Sequence, residues 1–173
     1  MARSPSSSIP KNSFELKSYY ALGVTQTSSR HLTVREAALA DAARIADLAT
    51  QLGYPSSTEQ VLVRLRTLPQ DGSHAVYVAQ NEMDAVVGWV HVFELLPVAH
   101  DRVAEIAGLV VDAICRGSGV GKRLMEAAEH WARGKGLSAV VLRSNVIREP
   151  AHKFYEKLGY TRIKTQHAFR KIL

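Results

Sequence analysis

The sequence predicts an α/β fold of the mixed α+β kind, in one domain, and three observations carry that reading. Apolar residues recur at helical spacing over residues 40–52 and 120–133. Runs rich in Val, Ile and aromatic residues, such as HAVYVAQ and VAEIAGLVV, have the composition of strands. These two kinds of segment interleave along a chain of 173 residues, 46% of them hydrophobic, which suits one core.

The elements follow in order. HLTVREA is a first short strand. Residues 40–52 form a helix with Ile45, Leu48, Ala49 and Leu52 inward, stopped by Gly53 and Pro55. SSTEQVLVRLRTL is a second helix, capped by Ser57 or Thr58, with Val61, Leu62, Leu65 and Leu68 inward. HAVYVAQ and AVVGWVHVFEL are strands joined around Asn81–Asp84, the signature of a hairpin. VAEIAGLVV is a further strand, and residues 120–133 are a strong helix with Val120, Leu124, Ala127, Ala128 and Trp131 on one stripe. SAVVLRS is the next strand. Pro150 to Leu158 is a short helix closed by Gly159. The final stretch, YTRIKTQHAFRKIL, reads as two short strands or one bent strand.

Composition narrows the function classes. There is no apolar run long enough for a transmembrane span. Residues 1–30, rich in Ser, lack the apolar core of a secretory signal and read as a disordered or loosely packed extension before a domain at 31–173. The single cysteine, Cys115, excludes an internal disulfide framework, and a reducing, cytoplasmic setting is the easy inference. No Asp, Glu or His set has a metal-ligand spacing. The charge, 22 − 16 = +6, is uneven: residues 143–173 carry eight Lys/Arg and two Glu, or +6 on their own. Such a basic end attracts an anionic ligand or nucleic acid, or is simply a solvated face.

Chemistry concentrates in VVDAICRGSGVGKRLMEAAEHWA. Between a strand and a helix lie Arg116, Gly117, Gly119, Gly121 and Lys122. Glycines let the backbone turn tightly and approach a ligand. Amides at the helix start hold phosphate oxygens, and two cations neutralise further charge. The ordinary phosphate motifs do not fit. A P-loop needs Gly where Arg116 stands and a hydroxyl where Arg123 stands, and the dinucleotide fingerprint needs Gly at Lys122.

Arg116-Gly117-Ser118-Gly119-Val120-Gly121 resembles the pyrophosphate loop of the GNAT superfamily of acetyl-CoA-dependent N-acetyltransferases. VAEIAGLVVD resembles that family's central strand, and RSNVIREPAHKFYEKLGY its second cofactor segment. The resemblance covers about residues 31–173 and is most specific over 103–160. It implies a mixed, mostly antiparallel central sheet, splayed at the cofactor cleft and flanked by helices. It also implies acetyl-CoA as cosubstrate. The pantetheine arm would bond to strand backbone at Leu109, Val110 and Val111, the pyrophosphate would sit on amides from Gly117 to Lys122, and Asn145 would lie near the arm.

Acetyl transfer to an amine needs a base, because a primary amine is mostly protonated at neutral pH. Strand alternation puts Glu105, Ala107, Leu109 and Val111 on one face. A lone Glu in such an apolar run is costly to bury unless it is paired or functional. The family resemblance makes Glu105 the general base, commonly through water; the alternative is an exposed Glu or one paired to Arg102. Tyr155 matches the family's general acid, donating to the leaving sulfur; the alternative is a core aromatic. Cys115 has no base fixed beside it. His91 shares a strand face with Trp89 and Phe93, which line the acceptor side or pack the sheet.

The acceptor is not legible beyond a preference for a small-molecule amine. Glu59, Glu94 and Asp101 attract a cation or are ordinary surface acids. Homodimers are common in the family, yet no interface can be read. Two further classes stay open: a CoA-binding or regulatory module without activity, and, less favoured, a nucleic-acid binder that stacks bases on Phe154, Tyr155 and Tyr160. No recognised nucleic-acid motif accompanies them.

Overall fold

The computed structural model describes residues 32–69, 71–99 and 101–173. The extension at 1–30 lies outside the described residues. Five strands form one sheet in the order β1-β2-β3-β4-β5, where β1 is Thr33–Glu36, β2 His74–Gln80, β3 Val86–Leu95, β4 Val103–Val111 and β5 Val140–Leu142. The first four pair antiparallel, and β5 joins β4 in parallel. The family's mixed, mostly antiparallel sheet is thus present.

Among the described residues four α-helices accompany it: α1 (Ala42–Leu52), α2 (Thr58–Thr67), α3 (Val120–Gly134) and α4 (Glu149–Lys157). Their limits follow local chemistry. Ser57 Oγ accepts from the Gln60 amide at 3.2 Å, and the Gln60 side chain accepts from the Ser57 amide at 2.9 Å, a reciprocal cap that starts α2. Gly53, at φ +95°, ends α1 in the left-handed conformation that glycine adopts without a Cβ penalty. A single 3-10 turn, Leu39–Asp41, precedes α1, so the helix proper begins later than its apolar period suggests.

The two faces of the sheet have separate cores. Val90, Val92, Ala104 and Ile106 pack on Leu124, Met125 and Ala128 of α3. Val78, Val86 and Val110 pack on Ile45, Ala46 and Leu48 of α1 and Val61 of α2. The period of α3 placed Leu124 and Ala128 correctly, and Met125 and Ala132 join them in the buried stripe.

Two expectations need correction. Residues 160–173 form no strand. Ile163, Phe169, Ile172 and Leu173 are exposed, so the alternation there reflects composition and is not cashed in as sheet pairing. The alternation through β4 also breaks. His91 pairs with Gly108, but Val92 pairs with Ile106, leaving Ala107 as an extra, exposed residue in β4. This is a β-bulge, and it reverses facing along the strand. Leu109 and Val111 pack on the α3 side with Ile106, while Glu105 shares the opposite side with Val110.

Candidate active site

The site is built where β4 and β5 part. Their pairing covers only Ala104–Val140, Glu105–Val141 and Ile106–Leu142. Strand β5 stops at Leu142, while β4 runs on to Val111. The edge of β4 from Ala107 to Val111 is therefore open for roughly 15 Å, at about 3.3 Å per residue. Leu109, Val110 and Val111, the expected backbone contacts, lie along that edge.

Beyond Val111 the chain is pinned before it turns. Asp112 is buried, accepts from the Ile114 amide at 3.2 Å, and is ion-paired to Arg44 of α1. Burial pushes its carboxyl up, but the Ile114 amide and Arg44 outweigh that and hold it below the usual carboxylate range. Arg44 also donates to the Val86 carbonyl at 2.9 Å, and Gln51 accepts from the Ala113 amide at 3.0 Å. The start of the glycine loop is thus tied to both α1 and β3.

The loop itself is exposed from Arg116 to Gly119. Gly117 and Gly119 have φ of +80° and +90°, and a Cβ built on either would meet nothing within 4 Å. Gly119 caps α3 without any side-chain bond, and the first backbone return is from the Arg123 amide to the Gly119 carbonyl. The amides of Val120, Gly121 and Lys122 therefore point out of the helix start with no intrahelical acceptor. Gly121 serves packing: a Cβ there would lie 3.1 Å from the Phe154 ring of α4. Ser118 Oγ donates to the Cys115 carbonyl at 2.6 Å, tightening the turn. The Arg116 Nε donates to the Val111 carbonyl at 3.3 Å, and Lys122 reaches Glu126 at 3.7 Å, both from exposed positions. This set of open amides, two glycines in left-handed conformation and flanking cations fits a pyrophosphate.

The far wall is the segment from β5 into α4. Asn145 is exposed; its Oδ1 accepts from the Ile147 amide at 3.1 Å, and its carbonyl accepts from the Arg148 amide and from His152 Nε2. Its side-chain oxygen thus shapes the turn into α4 and leaves the amide NH2 for other partners. Arg148 donates to the Leu52 carbonyl at the end of α1, 2.7 Å away, and ties the two walls together. Tyr155 is half-buried, edge-on to Phe154 and Tyr160 at 5.1 and 6.0 Å. Burial pushes its phenol up, only partly opposed by Arg148, so it stays protonated through neutral pH. The Cys115 thiol is likewise pushed up by burial and by nearby Asp112, an inert setting for a nucleophile.

Glu105 is 5% exposed, and it is neither at an open strand start nor paired to Arg102, which instead binds Glu94 at 2.7 Å. Both its oxygens are held by Arg143, at 3.0 and 3.2 Å. Arg143 was invisible in the sequence, because only the parallel β4–β5 register, which pairs Glu105 with Val141, brings the residue just past β5 within reach of it. Among the described residues no group of three or more His, Cys, Asp or Glu is gathered as for a metal ion, and no helix is long and apolar enough to cross a membrane.

Residues 41–160 match the model of the acetyltransferase (GNAT) family. The chain belongs to that family and is an acetyl-CoA-dependent N-acetyltransferase. This GNAT chain is 36% identical over 104 residues to the uncharacterized N-acetyltransferase YhdJ of Bacillus subtilis, covering 60% of this chain and 72% of that one. It is 34% identical over 72 residues to the aminoglycoside N(6')-acetyltransferase type 1 of Klebsiella aerogenes, covering 42% of this chain and about half, 47%, of the relative. Among solved structures it shares its fold with AAC(6')-Iy in complex with a CoA bisubstrate analogue, at TM-score 0.72 and 19% identity, over 83% of this chain and 99% of that one. The matched stretch of the family model contains the open edge of β4, the glycine loop, and α4 through Tyr160.

Proposed function

We propose that this GNAT enzyme moves the acetyl group of acetyl-CoA directly to the primary amine of a small molecule, inside the reducing interior of the cell. The observation that carries the reading is the opening between β4 and β5, which leads straight to the unsatisfied amides at the start of α3. The pyrophosphate sits on the loop from Gly117 to Lys122 with Arg116 beside it, and the pantetheine arm lies along Leu109–Val111, with the amide of Asn145 as a further donor. That the named relatives include an enzyme for aminoglycosides supports a small amine as acceptor.

Glu105 takes the proton of the acceptor amine, through water. The neutral amine nitrogen then bonds to the thioester carbonyl carbon, its second proton passes to water, and the carbon–sulfur bond breaks to leave the amide. Tyr155 gives its phenolic proton to the departing thiolate and regains one from solvent. Burial keeps the phenol protonated at neutral pH, so the proton is present to be given. The Arg143 pair keeps the Glu105 carboxylate fixed in orientation at the apex of the opening.

The test is a calorimetric titration with acetyl-CoA and with free CoA, followed by thiol release on adding primary amines. Micromolar binding with thiol release is expected. Binding with no release for any amine would turn the reading to an inactive CoA-binding module, and no binding by folded protein would overturn it.

A further inference from the structure

The sheet face opposite α3 carries a group of rings that the acetyl-transfer reading leaves unused. His74 of β2 and His91 and Phe93 of β3 lie on this face, since the register pairs His74 with Phe93 and continues the face through Trp89 and Val110 into the α1 core. The His74 and Phe93 rings are stacked, 13° apart in plane and 5.3 Å between centroids. His91 lies 5.3 Å from His74 and 6.2 Å from Phe93. All three are half-buried.

The place of these rings is informative. Phe93 is the register partner of Glu105, and His91 of Gly108, so the rings flank the point where β4 bulges and β5 leaves it. Gly108 has no side chain, and the Trp89 ring fills its space: a Cβ there would lie 2.9 Å from that indole. The rings are one strand away from the open edge, roughly 4.8 Å across the sheet.

The charge of the face is equally informative. Among the β2, β3 and β4 residues that point this way, Glu105 is the sole carboxylate, and Arg143 neutralises it. His74 Nδ1 and His91 Nε2 are 3.0 Å apart and share a hydrogen bond. Burial, and then the neighbouring His74, hold His91 down at about 4, so it is uncharged at neutral pH. A polycation would find no field to hold it here, whereas a neutral aromatic ring would find flat partners for stacking.

We propose that the half-buried rings of His74, His91 and Phe93 bind the aryl group of the acceptor, making it an arylalkylamine with about two carbons between ring and nitrogen. This rests on the acetyl-transfer reading for the chemistry, and deepens it by naming the acceptor class. The short spacer follows from the single-strand offset between the ring platform and the opening.

The experiment compares kcat/KM for phenethylamine, n-butylamine and kanamycin at saturating acetyl-CoA, read by thiol release, in the wild type, Phe93→Leu and Phe93→Tyr. Phenethylamine is expected to lead n-butylamine by about tenfold and to lead kanamycin by more. Phe93→Leu is expected to raise the KM for phenethylamine about tenfold, with little change for n-butylamine and none in acetyl-CoA affinity, and Phe93→Tyr to keep the preference. Kanamycin leading, n-butylamine equalling phenethylamine, or Phe93→Leu weakening both monoamines alike would overturn the assignment. Should no amine release thiol, saturation-transfer NMR of phenethylamine with the acetyl-CoA complex decides. A signal that Phe93→Leu abolishes supports the ring site; no wild-type signal overturns it. Failure to bind acetyl-CoA would overturn the transferase reading instead, and the same NMR experiment on the free protein would still judge the rings.

Discussion

Arg143, a largely exposed residue just past β5, grips both oxygens of Glu105, the buried and only charged side chain of β4, at 3.0 and 3.2 Å. The pair joins the two strands where they part. Removing the guanidinium leaves a buried carboxylate without a partner, which costs more than the pair contributes. Arg143→Met is expected to lower stability by about 1–3 kcal/mol. Urea unfolding of Arg143→Met, Glu105→Gln and the double variant checks this, with the double variant less destabilised than the sum of the singles. Glu105→Gln is also expected to cut turnover at neutral pH while leaving acetyl-CoA affinity nearly unchanged, and retained turnover would remove it as the base.

Tyr155 faces a different test. Its ring packs between Phe154 and Tyr160, so Tyr155→Phe keeps the packing and loses only the hydroxyl. The chemical step is expected to slow by about 10²-fold, within the range for a general acid. Single-turnover acetyl transfer measures it directly. Equal rates in the two proteins would leave Tyr155 as a packing residue.

The glycine loop separates protein from ligand cleanly. A methyl at Gly119 meets no protein atom within 4 Å, so Gly119→Ala pays only for its φ of +90°, about 1–2 kcal/mol of stability. Any larger effect on acetyl-CoA affinity reports on the ligand. At least tenfold weaker binding by calorimetry is expected. Unchanged affinity would put the phosphates elsewhere.

His91 makes stability depend on pH. Its folded value of about 4 lies below its ordinary 6.5, so between these limits the unfolded chain binds more protons than the folded one. Stability is then full above about 6.5 and falls as the pH drops towards 4, by up to about 3 kcal/mol at 1.36 kcal/mol per unit. Asp41, held low chiefly by its bond to Arg35, and Asp112 add their losses only below the ordinary carboxylate range. Thermal unfolding from pH 7.5 to 4.5 should show the loss, and His91→Gln should flatten it.

Much of the fold was legible because periodicity and punctuation agree locally. β2 and β4 were found at their full limits, α3 to within one residue of its end, and Ser57, Gly53 and Gly159 marked real boundaries. The turn of the glycine loop was legible for a similar reason, since the glycines at positive φ, Gly117 and Gly119, are written in one short run. Hidden features depend on register between distant segments. Arg143 reaches Glu105 across 38 positions, Arg148 reaches Leu52 across 96, and Arg44 reaches Asp112 across 68. The bulge at Ala107 was hidden too, because an alanine carries no mark of being surplus to a ladder. The C-terminal stretch misled in the opposite sense, offering β-forming residues that no neighbouring strand takes up.

That surplus alanine makes β4 two half-strands running out of phase. Up to Ile106 the odd positions look towards the α1 side of the sheet; past it the even ones do. One strand can thereby turn a carboxylate to one face of the sheet and still seat Leu109 and Val111 against α3 on the other. What matters at position 107 is therefore a count and not a chemistry. Its exposed methyl is replaceable, but excising the residue would act as a frameshift in space, turning one half of the strand inside out.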